Sequence, residues 1–377
     1  MNEKTRTRIL YYCQSLVGIG HLSASLRIAR ELLPAFDIDF IQGGLDMPNG
    51  IEHPGWRHLK LPTLLHDDVG GGLVDPAGGA AVESMWQARA EAINAFLQPP
   101  YRAIVVEFFP FGRRRFRGEI FALFDAVRAA SGPVPVFCNV REVLVPVDAR
   151  TEQKIVAIVR QHIHTVFVRG DPAVVALGDT FGPIAEIADK VVYTGYCAPP
   201  LPTEFPPRGN TIVVSRGGGE IGAELLPAVV RAAPLIPDCQ FVIAAGARTP
   251  APFLAALNAL VASDNVKIVP FLADFQQQLL GAALSINLGG DNTLVEVIGA
   301  RTPCLAYPYQ GDAEQGIRIG RFAAAGYVHA LAPADLDPPV LAARIRAVLA
   351  TPHQPKPILA DGARVTAQRI AAILAAG

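Results

Sequence analysis

The chain has 377 residues, of which 51% are hydrophobic and 18% are charged, and its formal net charge is −1 at pH 7. This length predicts two domains, because a single hydrophobic core stops growing at roughly 250 residues. The balanced charge argues against a general nucleic-acid-binding protein, which needs a basic face, and no apolar run approaches the roughly 18 residues of a membrane span.

The first half of the chain alternates short apolar runs with longer amphipathic segments. Strands are predicted at residues 9–13, 38–42, 103–107, 134–139, 165–168 and 190–193. Helices are predicted between them at residues 22–33, 80–97, 116–130 and 152–162. Parallel strands need crossover helices and are buried on both faces, so this alternation predicts a doubly wound, parallel α/β sheet.

The composition changes at residues 197–208, CAPPLPTEFPPR, which contain five prolines. This extended segment is predicted to link a Rossmann-like domain of residues 1–196 to a second one of residues 209–355. The alternation resumes with strands predicted at 211–215, 240–244, 266–269, 284–288 and 304–307, each followed by a helix. A last helix is predicted at 360–375, within a C-terminal segment of residues 356–377.

The cysteines are scattered and include no C-x-x-C pair; they are Cys13, Cys138, Cys197, Cys239 and Cys304. Each lies in or beside a strand-like run. The pattern is typical of buried thiols in a reducing compartment, so we predict a cytoplasmic protein. Residues 1–13 lack the long apolar run of a signal peptide, which favours a first strand there. Peripheral contact with a membrane stays open.

The first predicted strand runs into a glycine-rich loop, QSLVGIGH at residues 14–21. Gly18 and Gly20 permit a tight turn, and His21 stands at the start of the next helix. There the positive end of the helix dipole favours the neutral imidazole that a general base needs. A purely structural histidine is the alternative.

Arginines cluster after the strand predicted at 103–107, in the segment EFFPFGRRRFR at 107–117. Arg113 and Arg114 lie in this cluster, and Arg141 follows the next strand in the same way. Because strand ends of a doubly wound sheet line its crevice, these side chains predict a basic pocket for a phosphorylated or carboxylated small molecule. The alternative is a solvated arginine run at the start of a helix.

The second half also begins with a strand that runs into glycines, TIVVSRGGGEIG at 211–222. Ser215, Arg216 and the amides of Gly217 and Gly218 are predicted to hold a diphosphate ahead of a helix. The same letters satisfy G-x-G-x-x-G, which raises an oxidoreductase alternative. A NAD site needs an acidic residue at the end of the next strand, and the chain has Ala-Ala-Gly there.

Glycines also follow the strand predicted at 284–288. Gly289 and Gly290 leave bare amides that a ligand can approach closely. A helix begins at once, with Asp291 or Asn292 as its predicted N-cap. A helix start of this kind favours anions and hydroxyl groups.

Three elements of this region match in order over about forty residues: GG-x-x-T-x-x-E, P-x-x-x-x-P and EQ. They resemble the sugar-nucleotide site of GT-B glycosyltransferases, in the group that contains the UDP-N-acetylglucosamine transferase of peptidoglycan synthesis. The loop G-x-G-H at 18–21 is similar to the N-terminal loop of that group. The resemblance implies two Rossmann-like domains facing across a cleft, with segment 356–377 packed back on the N-terminal domain.

The resemblance also implies roles for individual residues. Glu296 would hold the ribose hydroxyls, Phe271 and Leu272 the nucleotide base, and Glu314 and Gln315 the donor sugar. The implied donor site comprises Ser215, Arg216, Gly217, Gly218, Phe271, Leu272, Gly289, Gly290, Asn292, Thr293, Glu296, Glu314 and Gln315. The glycine loop, with Gly18 and Gly20, would face the acceptor. The strand-end argument given above adds Arg113, Arg114 and Arg141 as acceptor-binding residues. The group usually has His or Asp where this chain has Glu314, which leaves the sugar open.

The activity implied is that of an inverting, metal-independent glycosyltransferase without a cofactor. It would move a sugar from a nucleotide-activated donor, expected to be UDP-linked, to a hydroxyl or similar nucleophile of a small acceptor, with His21 as general base. The arginine cluster adds the expectation that this acceptor is anionic. No D-x-D motif stands where a metal-bridged diphosphate needs it. Two alternatives stay open: a UDP-sugar hydrolase like that of nonulosonic acid synthesis, in which His21 activates water, and a non-catalytic nucleotide-sugar-binding protein.

Overall fold

We analysed a computed structural model of the chain, which describes residues 6–16, 20–46, 50–66, 72–76, 79, 83–217, 222–246, 249–309, 311 and 313–376. Gly18 and Gly218 lie outside these residues. The chain divides into two compact units. The first comprises Met1–Pro172, Ala176–Cys197 and Asp361–Gly377, and the second comprises Ala173–Val175 and Ala198–Ala360.

The first unit is built on a seven-stranded, wholly parallel sheet. The strands of this unit are β1 (Arg8–Ser15), β2 (Asp37–Gly44), β3 (Trp56–Lys60), β4 (Leu65–His66), β5 (Leu73–Val74), β6 (Ala103–Glu107), β7 (Val136–Arg141), β8 (Thr165–Arg169) and β9 (Val191–Tyr193). Of these, β4 and β5 form a separate two-stranded antiparallel sheet. The order in the sheet is β3-β2-β1-β6-β7-β8-β9. The direction of winding therefore reverses between β1 and β6, where doubly wound proteins bind ligands.

In the described part of the chain, four α-helices lie between these strands: α1 (Gly20–Leu32), α2 (Glu83–Phe96), α3 (Arg117–Ser131) and α4 (Ala149–His162). α1, α3 and α4 pack on the sheet through buried apolar stripes, as in α1, where Leu22, Leu26 and Ile28 are buried. β3 was not predicted. Its sequence, WRHLK, is only half-buried and has no apolar run, as expected of an edge strand.

The second unit is built on a six-stranded parallel sheet. Its strands are β10 (Thr211–Ser215), β11 (Gln240–Ala244), β12 (Val266–Val269), β13 (Leu284–Asn287), β14 (Cys304–Ala306) and β15 (His329–Ala330). They lie in the order β12-β11-β10-β13-β14-β15, so the winding reverses between β10 and β13. Both sheets are parallel and doubly wound, which confirms the predicted fold class.

The helices of the second unit are α5 (Leu225–Ala232), α6 (Ala251–Ala259), α7 (Phe275–Leu280), α8 (Asp291–Gly299), α9 (Ala313–Ala324) and α10 (Pro338–Ala350). α10 was not predicted, although its start carries two recognisable signals. Proline occupies its first turn, and the Asp337 side chain accepts a hydrogen bond from the backbone of Val340.

The last helix, α11 (Gly362–Ala376), belongs to the first unit and packs against α1. Ala367 and Ile370 lie in the same buried cluster as Leu26 and Ile28 of α1. The five cysteines are all buried thiols without disulfide bonds; the cytoplasmic location stays a prediction. Among the helices described, none has the length and apolar character needed to cross a membrane.

Candidate active site

The carboxyl edge of the first sheet carries several charged side chains. Glu107 is the last residue of β6, Arg141 of β7 and Arg169 of β8. His21 is the second residue of α1, the helix that follows β1. Because β1 and β6 are neighbours at the reversal of winding, the fold brings His21 to the end of β6.

His21 forms a close pair with Glu107. The distance from Nδ1 to Glu107 Oε1 is 2.7 Å, and the side chains of His21 and Glu107 are 12% and 0% exposed. The second carboxylate oxygen accepts a hydrogen bond of 3.1 Å from the Ser25 hydroxyl, one turn further along α1. A carboxylate at Nδ1 holds the proton on that nitrogen, so Nε2 becomes the basic atom of the ring.

Arg169 is the third member of this buried cluster. Its Nη2 donates to the same Oε1 of Glu107 at 2.8 Å and lies 3.5 Å from His21 Nδ1. Burial raises the pKa of Glu107, whereas Arg169 and, next, the hydrogen bond from Ser25 oppose that rise. Arg169 therefore favours the ionised carboxylate that His21 needs as its partner. Glu107 and Arg169 were not predicted as site residues from the sequence. The feature that could have identified them is that each is the polar last residue of an apolar strand.

The end of β1, from which the His21 loop departs, is held by two arginines. Arg113 Nε donates to the backbone oxygen of Gln14 at 2.6 Å, and Arg89 Nη2 donates to the Gln14 side chain at 3.0 Å. Arg89 is fully buried and also binds both carboxylate oxygens of Glu119, at 2.7 and 2.8 Å. These buried contacts fix where the loop begins.

Phe108 follows Glu107 and brings two of the predicted arginines together. Its backbone has a φ of 68°, and its ring lies edge-on to His21 with centroids 4.8 Å apart. The guanidinium carbons of Arg113 and Arg141 lie 5.6 and 5.3 Å from the ring centroid. The backbone of Arg113 also lies in the left-handed region, with a φ of 58°. Residues with such strained backbones concentrate at functional sites. Arg114 is exposed instead and donates to the backbone oxygen of Phe111, so it does not join this group.

In the second unit, the loops after β10, β11 and β13 leave the same edge of the sheet. Ser215 is in register with Ala244 of β11 and Asn287 of β13. A side chain at Gly222 would lie 2.4 Å from Leu288, so the loop after β10 passes close to the loop after β13. The predicted phosphate loop and the helix that carries Glu296 therefore start from adjacent strand ends.

Arg216 connects the loop after β10 to the loop after β11 by hydrogen bonds. It is 4% exposed, its Nε donates to the backbone oxygen of Ala245, and its Nη2 donates to Thr249 Oγ1 at 2.7 Å. Its guanidinium carbon also lies 5.1 Å from the ring centroid of Phe253. Its predicted contact with a diphosphate stays a prediction. The Ser215 hydroxyl accepts a hydrogen bond of 3.0 Å from the amide of Gly217, which has a φ of 79°.

Helix α8 begins one residue earlier than the sequence suggested. Gly290 is its N-cap, with no side-chain cap, so the prediction of Asp291 or Asn292 was wrong. The reason lies in Gly289, whose φ of 68° turns the chain sharply and whose amide donates to Asn287 Oδ1 at 2.9 Å. The amides of the first turn then need partners other than a cap side chain. Asn292, Thr293 and Glu296 are half-buried on the first two turns of α8.

Alanine at Gly289 is expected to destabilise the second unit and weaken nucleotide binding. The left-handed backbone costs a side chain about 1–2 kcal/mol, and the new Cβ would lie 2.4 Å from the buried side chain of Ile319. Gly320→Ala is the matched control: this glycine lies in α9 with no atom within 4 Å of the added carbon, and alanine there favours the helix. Melting temperature and UDP affinity measure both effects, and an equal change in the two variants would contradict the strain argument.

The remaining predicted donor residues lie in the segments that follow β12 and β14. Phe271 is 63% exposed, which rules out the alternative of a buried aromatic, and Leu272 is half-buried. Glu314 and Gln315, in the first turn of α9, are both 6% exposed. The Gln315 side-chain oxygen accepts a hydrogen bond of 3.1 Å from the amide of Tyr309, which holds the loop after β14.

No model of a known protein family matches the chain, and no curated protein does either. Solved structures match it over nearly its whole length. CalG4, the calicheamicin glycosyltransferase, has a TM-score of 0.61 at 14% identity, covering 98% of this chain and 95% of that one. LpCGTa in complex with UDP has a TM-score of 0.58 at 16% identity, with coverage of 98% and 95%. MurG of Acinetobacter baumannii has a TM-score of 0.56 at 14% identity, with coverage of 98% and 100%.

At such low identity the likeness concerns the fold. It agrees with the two doubly wound parallel sheets described above. The chain therefore has the GT-B fold, the fold of these glycosyltransferases, as the sequence motifs implied.

Proposed function

We propose that this chain is a glycosyltransferase that moves a sugar from a nucleotide-activated donor to a hydroxyl of a small acceptor. The observation that carries the proposal is the pair of His21 and the buried Glu107 at the reversal of winding of the first sheet. A histidine oriented by a carboxylate is a general base. The names of the similar solved structures, one of them in complex with UDP, support the same reaction class.

In the proposed reaction, His21 Nε2 takes the proton of the acceptor hydroxyl while the oxygen attacks the anomeric carbon. The bond between that carbon and the phosphate oxygen breaks, and the nucleoside diphosphate leaves with the electron pair. Attack opposite the leaving group inverts the anomeric configuration. Glu107 stabilises the imidazolium that forms, and Arg169 keeps Glu107 ionised in its buried position.

The donor is proposed to bind the second unit, with UDP as the expected nucleotide. The diphosphate would accept hydrogen bonds from the Ser215 hydroxyl, from the amide of Gly218 and from the first turn of α8. The amide of Gly217, which donates to Ser215 in this structure, would turn to the diphosphate when the donor binds. Backbone donors and the helix dipole would stabilise the leaving group without a metal or cofactor. Glu296 would accept from the ribose hydroxyls, and the exposed ring of Phe271 offers a stacking surface for the base.

A panel of UDP-, GDP-, dTDP- and CMP-sugars tests this proposal, with and without a mixture of hydroxylated acceptors. We expect the UDP-sugars to raise the melting temperature most and UDP release to depend on acceptor. Rapid release of free sugar without acceptor would identify a hydrolase in which His21 activates water. Stabilisation without turnover under either condition would instead indicate a binding protein, and no response to any nucleotide sugar would refute the proposal.

A further inference from the structure

The ring of Phe108 has a histidine and two arginines around it. Its centroid lies 4.8 Å from the His21 ring, 5.6 Å from the Arg113 guanidinium carbon and 5.3 Å from that of Arg141. These contacts arise from three different segments, because His21 belongs to α1, Arg113 precedes α3 and Arg141 ends β7. The arrangement therefore follows from the fold and not from a local run of basic residues.

The two arginines repel each other. Burial lowers the pKa of Arg113, and the nearby charge of Arg141 lowers it further, against the opposing influence of Cys13 and Glu107. Among the described residues, no carboxylate lies within ion-pair distance of Arg113. An anion bound between the two guanidinium groups would relieve this repulsion.

The carboxylates that follow β6 and β7 are less accessible than these arginines. Glu107 and Glu142 are 1% and 0% exposed, and Glu107 is already engaged by His21 and Arg169. Arg113 and Arg141 are each more exposed than either carboxylate, so a ligand from solvent can reach part of each side chain. Arg114 and Arg115 are exposed, and the alternative of a solvated arginine run describes these two.

The distances also limit how far the anionic group of the ligand can lie from its reacting hydroxyl. Since all three groups are measured from one ring centroid, neither guanidinium carbon can lie more than about 10 Å from the centre of the His21 ring. A hydrogen-bonded anion and a hydroxyl at His21 each occupy about 3 Å of that span. What remains corresponds to one small ring or a short chain.

We propose that the acceptor is a small hydroxy acid, whose carboxylate or phosphate binds Arg113 and Arg141 while its hydroxyl approaches His21. The arginine fork matches the geometry of both kinds of anion. This inference rests on the proposed function, because it assigns the acceptor of that reaction. It assigns Arg113 and Arg141 to acceptor selection and leaves Arg114 out.

The test measures binding to the full-length chain at saturating UDP, which fills the proposed donor phosphate site. The probes are two matched pairs, each of one anion and one neutral analogue: 4-hydroxybenzoate with its methyl ester, and glycerol 3-phosphate with glycerol. Binding of each probe is measured by the shift in melting temperature and by titration calorimetry. We expect at least one anion to bind about tenfold or more tightly than its neutral partner. The pair that responds distinguishes a carboxylate from a phosphate.

Arg113→Gln and Arg141→Gln should each lose that preference, while Arg115→Gln, with the same change in charge two residues away, should keep it. Arg113 also supports Gln14, so Arg113→Lys is the second variant at that position; it should keep part of the preference. Equal binding of the charged and neutral probes, or a preference that survives in both glutamine variants, would overturn the inference. If UDP does not bind but the anion preference depends on Arg113 and Arg141, the proposed function fails and the anion site stands.

Discussion

His21→Ala is expected to lower kcat for sugar transfer by about 10²–10⁴-fold, the usual contribution of a positioned general base. The affinity for UDP should not change, because the proposed donor site belongs to the second unit. Steady-state kinetics with a UDP-sugar and calorimetry with UDP separate the two effects. His164→Ala is the matched control, since this histidine is exposed at the opposite, amino end of β8. Wild-type turnover in the His21 variant would show that the base is another group, although the fold would be unaffected.

Two further variants test whether His21 acts as a pair with Glu107. Glu107→Gln keeps the shape of the side chain but removes the charge that stabilises the imidazolium. The decrease in kcat that it causes should be non-additive with the decrease caused by His21→Ala.

Arg169→Met is expected to change the pH dependence of the reaction. Arg169 opposes the burial that raises the pKa of Glu107, so without it Glu107 keeps its proton to higher pH. The acid limb of the kcat/KM profile should move upward in pH, and an unmoved limb would refute the role given to Arg169.

Glu296→Ala is expected to weaken UDP binding by roughly 10²-fold or more, because two hydrogen bonds from ribose hydroxyls to a carboxylate contribute about 1.5–3 kcal/mol each. Calorimetry with UDP and 2′-deoxy-UDP measures the effect directly. Wild-type protein should prefer UDP, and the variant should bind both nucleotides equally. Asp264→Ala, which removes an exposed carboxylate from the same unit, should keep the wild-type preference.

The measurement also has a clear negative result. If the Glu296 variant keeps both the wild-type affinity for UDP and the preference for UDP over its 2′-deoxy analogue, the carboxylate does not touch the ribose. A loss of affinity for both nucleotides with the preference retained would mean that the substitution acts on the loops and not on the ribose.

Local sequence was sufficient for most of the framework. The strands at Ala103–Glu107, Thr211–Ser215, Gln240–Ala244 and Val266–Val269 have the predicted bounds, because short apolar runs between helices are typical of buried parallel strands. Two of the four edge strands of the parallel sheets, β3 and β15, were not predicted, since they have too few apolar residues to form a pattern. Hydrogen bonds to a neighbouring strand stabilise them, and those bonds do not depend on their own side chains.

The sequence by itself determined the alternating elements, the glycine turns at the strand ends and the candidacy of His21 and Glu296, because these depend on residues within a few positions of each other. Only the tertiary structure decided the partners. His21 and Glu107 are 86 residues apart, and they meet because β6 lies next to β1 in the sheet. The same strand order brings Arg169 to Glu107 and the loop of Arg216 to Thr249. Strand order is set by the packing of the whole sheet, so no local pattern could have assigned these contacts.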